Sequence, residues 1–433
     1  MKNKIIAGIV IAAGILLFSA GGYMGYTYSM DIYSREQSVK EVNTYLTGYV
    51  PSPFENSALV QEPPSLIKKT TALHSYKASE SLVFSSYSKE WDETKLKELH
   101  QELLKNKHGK EMETLHEVVI WPQEDKSALA THSSDVVKDA LEINFGALPY
   151  KFQLNFFRDV SLIDLYGGDK KTTIESMAWS LSHEYGHLYT FYYMLTNKTG
   201  WSFGNTKYAQ LRKCTENELI PTLTPAANYL ENHYKYLFEV AAEDYVQLMG
   251  SPTTRQVVDF VDIRQRLNGA DALDEAAFNL GHNAYPQENL QLPLANEVED
   301  LPEFFYSFIK EKVPEPIEQK KEIKLTIQSG SRGHDLTIGY RNFVYYNIEW
   351  NKPYKDAIYT LVSYDPNKYQ TYPIKTVHND GTAIGTIGTV SYDSGGYVQW
   401  TYDEIDRGTK VFLVIAQLPD GTYYSSEPLE HTF

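Results

Sequence analysis

The sequence predicts an α+β protein, in which a mainly helical domain with a small sheet is followed by an all-β sandwich. Apolar residues at helical spacing dominate residues 72–310, with only short strand-like runs between them. Residues 323–433 are rich in Tyr, Thr, Val and Ile and are divided by Gly-containing turns, at a length typical of a β-sandwich. The charged, proline-containing residues 311–322 are expected to form a linker between the two.

The overall composition excludes several classes of protein. The 433 residues carry 40 basic and 56 acidic side chains, a net charge of −16. So acidic a chain lacks the positive surface that nucleic-acid binding needs, and no nucleic-acid partner is expected. A hydrophobic share of 42% excludes extensive disorder. The only cysteine, Cys214, can form no intramolecular disulfide and is expected to be inert.

The N-terminus resembles a targeting segment. Lys2 and Lys4 precede an uncharged run from Ile5 to Met30, whose apolar length is sufficient to cross a bilayer. This lysine bias places everything after Tyr28 outside the cytoplasm.

The same segment also has the features of a cleavable signal. Small residues at 19–22 are suited to signal-peptidase cleavage. Residues 1–28 are therefore expected to be either a membrane anchor or a signal peptide, which makes the protein a single-pass cell-membrane protein or a secreted one. The polar, proline-containing residues 29–71 are expected to be a stalk.

The first part of the helical domain contains the predicted small sheet. Leucines at helical spacing predict a helix over 92–105, and residues 115–121 predict a strand. Residues 152–165 alternate loosely and predict one or two strands, which end at the turn of Gly167 and Gly168.

The rest of this domain is predicted to be helical. A long helix is expected over 172–195, and Thr224-Pro225 is a suitable start for another that ends at Met249. Further helices are expected over 254–267 and 299–310.

The long helix over 172–195 carries the motif H-E-x-x-H at residues 183–187. Residues four apart lie on one helix face, so His183 and His187 can bind the same Zn²⁺. Glu184 is then close enough to take a proton from the attacking water. The alternative is two solvated or core histidines with no metal.

A catalytic zinc site needs a third protein ligand, and the helix over 238–249 offers acids one turn apart. Ala241 and Ala242 allow this helix to approach the first closely. Glu239 as ligand, with Glu243 holding a ligand histidine, is a workable arrangement. Spacing alone does not decide between the two acids, and an exposed acidic helix face remains the alternative.

These two helices resemble the gluzincin zinc metallopeptidases, in particular catalytic domains of the anthrax lethal-factor type. The resemblance is carried by H-E-Y-G-H and by E-x-x-A-E-x-Y-x-x-L-M-x-S, which begins at Glu239. It implies a zincin-like fold and a zinc endopeptidase. In that family the residues matching His183, His187 and Glu239 bind zinc, the match to Glu184 is the general base, and the match to Glu243 supports a ligand.

The family also places a tyrosine shortly before the third ligand to stabilise the oxyanion. This sequence has Asn232 at that position, followed by His233, Tyr234 and Tyr236. Tyr234 is the predicted catalytic residue, with a packing role as its alternative.

The substrate is expected to be a peptide or protein that adds as a strand to the sheet edge formed by part of 152–165. The net charge of −16 favours basic or neutral peptides. Residues 279–295, which include His282, could border the cleft or form a surface loop.

The C-terminal residues resemble a fibronectin type III module. The resemblance rests on residues 346–350 with Trp350, on 357–364, and on 410–417 and 422–433 as the last two strands. Lys410 stands where such modules have a conserved tyrosine.

Together these features predict an extracytoplasmic zinc-dependent endopeptidase. One alternative is a catalytically inactive surface protein that binds through its β-sandwich, although the intact Glu184 argues against it. The other is a zinc hydrolase acting on cell-wall amide bonds.

Overall fold

The computed structural model describes residues 71–122, 130–134, 161–168, 173–195, 203–221, 232–256, 286–329, 333–334, 342–366, 371–378, 381–390, 403–404 and 408–433. The predicted anchor or signal at 1–28, and nearly all of the predicted stalk, lie outside these residues. Within them, none of the helices has the length and apolar character needed to span a membrane.

The chain is a mixed α+β protein with a few helices and several small sheets. The α-helices in the described part are α1 Glu93–Leu103, α2 Ile174–Thr190, α3 Lys207–Leu211, α4 Leu237–Met249 and α5 Leu301–Ile309. Short 3₁₀ helices lie at Lys110–Thr114, Phe203–Asn205, His233–Lys235 and Ala295–Glu297.

The N-terminal sheet has the order β1-β2-β3-β5-β4. Its strands are β1 His74–Lys77, β2 Val83–Ser86, β3 Leu115–Ile120, β4 Ala130–Ser134 and β5 Ser161–Leu165. The inner strands β2, β3 and β5 are parallel, and β1 and β4 are antiparallel to their neighbours.

The expected substrate-binding edge is therefore wrong for the described part of 152–165. β5 pairs with β3 on one side and β4 on the other, so its backbone groups are used within the sheet. Among the described strands, β4 is the edge nearest α2. The pairing of β5 with β3 and β4 depends on segments distant in the chain, so the residue pattern of 152–165 alone could not predict it.

Helices α1 and α2 begin where the sequence predicts them. The side chain of Asp92 accepts a hydrogen bond from Lys95 N at 3.0 Å, and Thr173 accepts one from Ser176 N at 3.2 Å. Both residues are N-caps, which satisfy backbone N–H groups that lack a helical partner. A π-turn at Phe191–Leu195 extends α2 to the predicted end.

The predicted helix start at Thr224 lies within residues 222–231, outside the described part. Within the described part, the helix that ends at Met249 begins at Leu237. Just before α4 the backbone pairs with a segment earlier in the chain. Ile220 N donates to Lys235 O at 2.8 Å, and Leu237 N donates to Ile220 O at 3.1 Å. The predicted end at Met249 is confirmed. The helix predicted over 254–267 falls almost wholly outside the described residues.

The main apolar cluster among the described residues of this domain joins α1, α2, α4 and α5 to the sheet. Its fully buried members include Leu96, Ile163, Leu181, Ala241 and Phe305. Burial of this apolar surface is the main stabilising term, and it fixes α2 and α4 side by side.

The described residues after 322 form two further sheets, and residues 311–322, which were predicted as a linker, contain neither helix nor strand. One sheet contains β6 Leu325–Ser329, β7 Gly333–His334, β8 Asn342–Trp350, β11 Ile384–Val390 and β12 Asp403–Glu404. The other contains β9 Ile358–Tyr364, β10 Thr371–Val377, β13 Thr409–Gln417, β14 Tyr423–Ser425 and β15 Leu429–Thr432.

The two sheets share an apolar cluster that includes Ile348 and Trp350 from one and Leu361 and Phe412 from the other. The strand predicted over 422–433 is broken into β14 and β15. Pro428, which has no backbone N–H to donate to a sheet, lies in the break.

Lys410, the residue at the tyrosine position, forms a buried ion pair. Its Nζ lies 2.8 Å from Asp365 Oδ2, and both side chains are 10% exposed. This ion pair joins β13 to the end of β9, at the position where fibronectin type III modules have a tyrosine.

Candidate metal centre

Helix α2 brings both histidines of the motif to one buried face. The rings of His183 and His187 are 4.9 Å apart and nearly perpendicular, and Trp179 stacks on His183 at 5.5 Å. Phe191 and Phe238 lie against His187 at 5.6 and 5.8 Å. Apolar rings thus enclose both imidazoles and leave their Nε2 atoms directed at α4.

Helix α4 supplies Glu239 because it crosses α2 at very short range. A Cβ placed on Gly186 would lie 2.8 Å from Ala242 O, so only glycine permits this approach. Glu239 Oε2 lies 3.2 Å from Nε2 of both His183 and His187. The ligand atoms of these three residues all lie within 4.8 Å of one another.

A third histidine that the sequence did not single out also reaches this carboxylate. His233 Nε2 is 3.3 Å from Glu239 Oε2, and its Nδ1 is 2.6 Å from Glu288 Oε2. The side chain of His233 is 25% exposed, against 6% for Glu239. The only sequence signal was its place in the 232–236 segment, because Glu288 is 55 residues away in the chain.

Glu243 lies one turn after Glu239 and is 4% exposed. Its Oε1 accepts a hydrogen bond of 2.5 Å from the backbone N–H of Glu288. The expected bond to a ligand histidine is not among the contacts found within the described residues. Glu243 instead holds the segment that carries Glu288, and through it supports His233.

Tyr234, Cys214 and His282 are the remaining residues that the sequence singled out. Tyr234 is half-buried in the 3₁₀ turn at His233–Lys235; Lys235 Nζ lies 5.6 Å from its ring centre, and its carbonyl accepts from Asn289 Nδ2 at 3.1 Å. Cys214 is buried in the apolar cluster. His282 lies outside the described residues.

Residues 286–295 are the described part of the segment that was expected to border the cleft or form a surface loop. Leu290, Leu292 and Leu294 are 4%, 6% and 2% exposed, so this part is not a surface loop. It borders the cluster through Glu288.

Burial dominates the electrostatics of the site. It raises the pKa of Glu184 from 4.5 to about 7. It lowers the pKa of His183. At Glu239 burial acts in the raising direction, but His233 and His187 outweigh it and hold the pKa of Glu239 well below its ordinary value.

The pKa values of the two other histidines, His187 and His233, are raised. Burial alone would lower the pKa of His187, yet Glu239 outweighs burial and raises it. The carboxylates of Glu239 and Glu288 likewise raise the pKa of His233 well above its ordinary value. The carboxylate of Glu239 thus interacts with all three imidazoles at 3.2–3.3 Å.

The donor set fits zinc. Two imidazole nitrogens and one carboxylate oxygen are the ligands of a catalytic site that keeps one position open. Bonds of about 2.0–2.2 Å to a tetrahedral ion are compatible with the 3.2 Å separations between the Glu239 oxygen and the two histidines. Glu184, beside the first histidine, is 7% exposed.

Comparison with known proteins leaves the chain without an assigned relative. No protein-family model matches it, and no curated protein matches it. A similar solved structure is the Pseudomonas fluorescens alkylpurine DNA glycosylase AlkC bound to DNA containing an abasic site analog. The identity is 9% over 69% of this chain and 76% of that chain, with a TM-score of 0.17. So low a score supports no conclusion on fold or function.

Proposed function

We propose that the protein is a zinc-dependent endopeptidase of the gluzincin type, with His183, His187 and Glu239 as metal ligands and Glu184 as general base. The observation that carries the proposal is the convergence of three buried ligand atoms within 4.8 Å, beside a buried glutamate. Two of the ligands come from one helix and the third from a helix 52 residues further on, as the resemblance implies.

The reaction is hydrolysis of a peptide bond. A zinc ion in this site would lower the pKa of a bound water and polarise the scissile carbonyl. Glu184 accepts the proton of the attacking water and delivers it to the leaving amine nitrogen.

His233 is the donor that the geometry favours for the developing oxyanion. Its side chain is 25% exposed, its Nε2 lies 3.3 Å from the Glu239 oxygen, and Glu288 holds its Nδ1. A donor fixed before the reaction stabilises the charge that the substrate carbonyl gains. Tyr234 remains the alternative donor predicted from the sequence.

The substrate peptide would lie along β4, which is the edge strand beside α2 among the described strands. An edge strand offers free backbone groups in its outer direction, which an extended peptide can pair with. Peptide and protein substrates are therefore the expected class.

The proposal also covers the fold of each of the two domains. A sheet packed against α1 and α2, with α4 packed on α2, supports a zincin-like domain, and the two C-terminal sheets with a common apolar cluster support a fibronectin-like β-sandwich. The charge pattern at the N-terminus supports an extracytoplasmic location. Protease added to intact cells should digest the folded domains; protection until lysis would contradict this location.

The decisive experiment combines metal content with a peptide-library digest of purified protein. One equivalent of zinc by mass spectrometry and cleavage of library peptides are expected of wild type. Glu184→Gln should keep zinc and lose most cleavage. The matched control Glu175→Gln changes an exposed glutamate of the same helix and should cleave normally. Cleavage by Glu184→Gln at the wild-type rate would refute the mechanism.

A further inference from the structure

The segment Gln287–Glu297, called here the bridging segment, links the candidate metal centre to the C-terminal sheets. At its first end, the N–H of Glu288 donates to Glu243 and its carboxylate lies 2.6 Å from His233 Nδ1. These two contacts join Glu288 to both Glu243 and His233. No motif in the sequence predicted this role.

The middle of the bridging segment is tied to the catalytic helices. Gln247 Nε2 donates to Gln287 Oε1 at 3.0 Å, and its Oε1 accepts from Ala295 N at 3.0 Å. Arg212, itself paired with Asp244 and 2% exposed, donates from Nη1 to the carbonyl of Pro293 at 2.7 Å. These bonds hold the segment to α4 and Arg212, while its leucines Leu290 and Leu294 face a C-terminal sheet.

The leucines of the bridging segment rest on an apolar surface of one C-terminal sheet, called here the docking face. Leu290 and Leu294 pack with six residues of one C-terminal sheet, all of them buried. The six residues are Val362, Tyr364, Val411, Leu413, Ile415 and Tyr423.

Strand β13 shows that the docking face is built to be covered. Its residues 411–416 read VFLVIA, with no polar residue between them. Phe412 and Val414 point into the cluster shared by the two C-terminal sheets, whereas Leu413 and Ile415 belong to the docking face. A strand with one face in water alternates apolar and polar residues, while an uninterrupted apolar strand is buried on both faces.

Polar contacts surround this apolar contact. Asn296 Nδ2 donates to Tyr423 O at 2.7 Å. Ser425 donates to both carboxylate oxygens of Glu297, from N at 2.9 Å and from Oγ at 2.7 Å, and Lys320 lies 2.9 Å from the same carboxylate.

We infer that the C-terminal module is an integral part of the catalytic unit, with Glu288 as a positioning residue for His233. The docking face holds the bridging segment, and the segment holds the carboxylate that orients the imidazole. The inference rests on the proposed function for its kinetic consequence, but the coupling itself is a structural property that can be measured without turnover.

The first test is at Glu288 in the full chain. Glu288→Ala removes the acceptor for His233 Nδ1 and should lower kcat by about 10–100-fold, the usual effect of losing a group that orients a site residue, with KM and zinc content little changed. Glu288→Gln keeps an acceptor oxygen and should restore a large part of kcat. Equal kcat for wild type and Glu288→Ala would overturn the positioning role.

The second test is at the far end of the bridging segment. Leu294→Ala should lower kcat and speed amide hydrogen exchange in residues 286–297 and 232–236. Leu361→Ala is its matched control, a buried leucine on the opposite face of the same sheet, and should leave both unchanged. If Leu294→Ala does not fold, Asn296→Ala, which removes one hydrogen bond to Tyr423, is measured instead.

The outcomes separate this inference from the proposed function. Wild type that neither binds zinc nor cleaves peptides refutes the proposed function, and the exchange measurement then tests the coupling alone. Wild type that cleaves, with Leu294→Ala matching it in kcat and exchange, overturns the inference. An equal loss in Leu361→Ala also overturns it, because general destabilisation would then explain the effect.

Discussion

Replacing Glu184 by glutamine should stabilise the metal-free protein while it abolishes hydrolysis. Glu184 is 7% exposed, and burial raises its pKa from 4.5 to about 7. Above that pH the folded apoprotein must keep a charged carboxylate away from water, whereas an isosteric amide carries no charge.

The size of the effect follows from the same shift. Between pH 4.5 and 7 the folded protein binds a proton at Glu184 that the unfolded chain has released, so wild-type stability falls relative to the variant as pH rises. At 1.36 kcal/mol per pKa unit, the difference grows from near zero below pH 4.5 to about 3 kcal/mol at pH 8.

The assay is urea unfolding of chelator-treated wild type and Glu184→Gln at several pH values between 4.5 and 8. Glu175→Gln, the exposed control, should follow wild type throughout. Added zinc should shrink the difference, because a nearby cation stabilises the carboxylate. A variant that is no more stable than wild type at pH 8, or a difference that does not grow with pH, would refute this account of the buried charge.

Three further substitutions test the site. Gly186→Ala should push α2 from α4, weaken zinc binding and lower the free energy of unfolding by about 1–3 kcal/mol; unchanged chelator competition would contradict the tight crossing. Glu239→Ala should purify without zinc, while Glu243→Ala, which frees the Glu288 segment and no metal ligand, should keep zinc and lower kcat by about 10–100-fold; the reverse result in a chelator titration exchanges their roles. His233→Ala should lower kcat by about 10²–10³-fold in steady-state kinetics, with Tyr234→Phe close to wild type; the opposite pattern makes Tyr234 the oxyanion donor.

The local parts of this protein could be predicted from the sequence because they depend on neighbouring residues. The four-residue spacing of His183 and His187 places both on one face of any α-helix. The caps at Asp92 and Thr173 act within their own first turns. The end of α4 at Met249 likewise follows from the glycine after it.

Other parts depended on contacts between residues far apart in the chain. α4 begins at Leu237 because the backbone on either side of Tyr236 pairs with Ile220. β5 lies inside its sheet because it pairs with both β3 and β4, which leaves β4 as the edge beside α2 among the described strands. No local pattern encodes a pairing whose partner is a distant segment.

The candidate site divides in the same way. The sequence by itself determined the H-E-x-x-H face and offered two acids on a second helix. Only the tertiary structure decided that Glu239 meets the histidines, that His233 joins them, and that Glu288 stands behind His233. The physical reason is that a helix period fixes which side chains share a face, whereas the packing of α2 on α4 at Gly186 and the apolar docking face fix which faces meet.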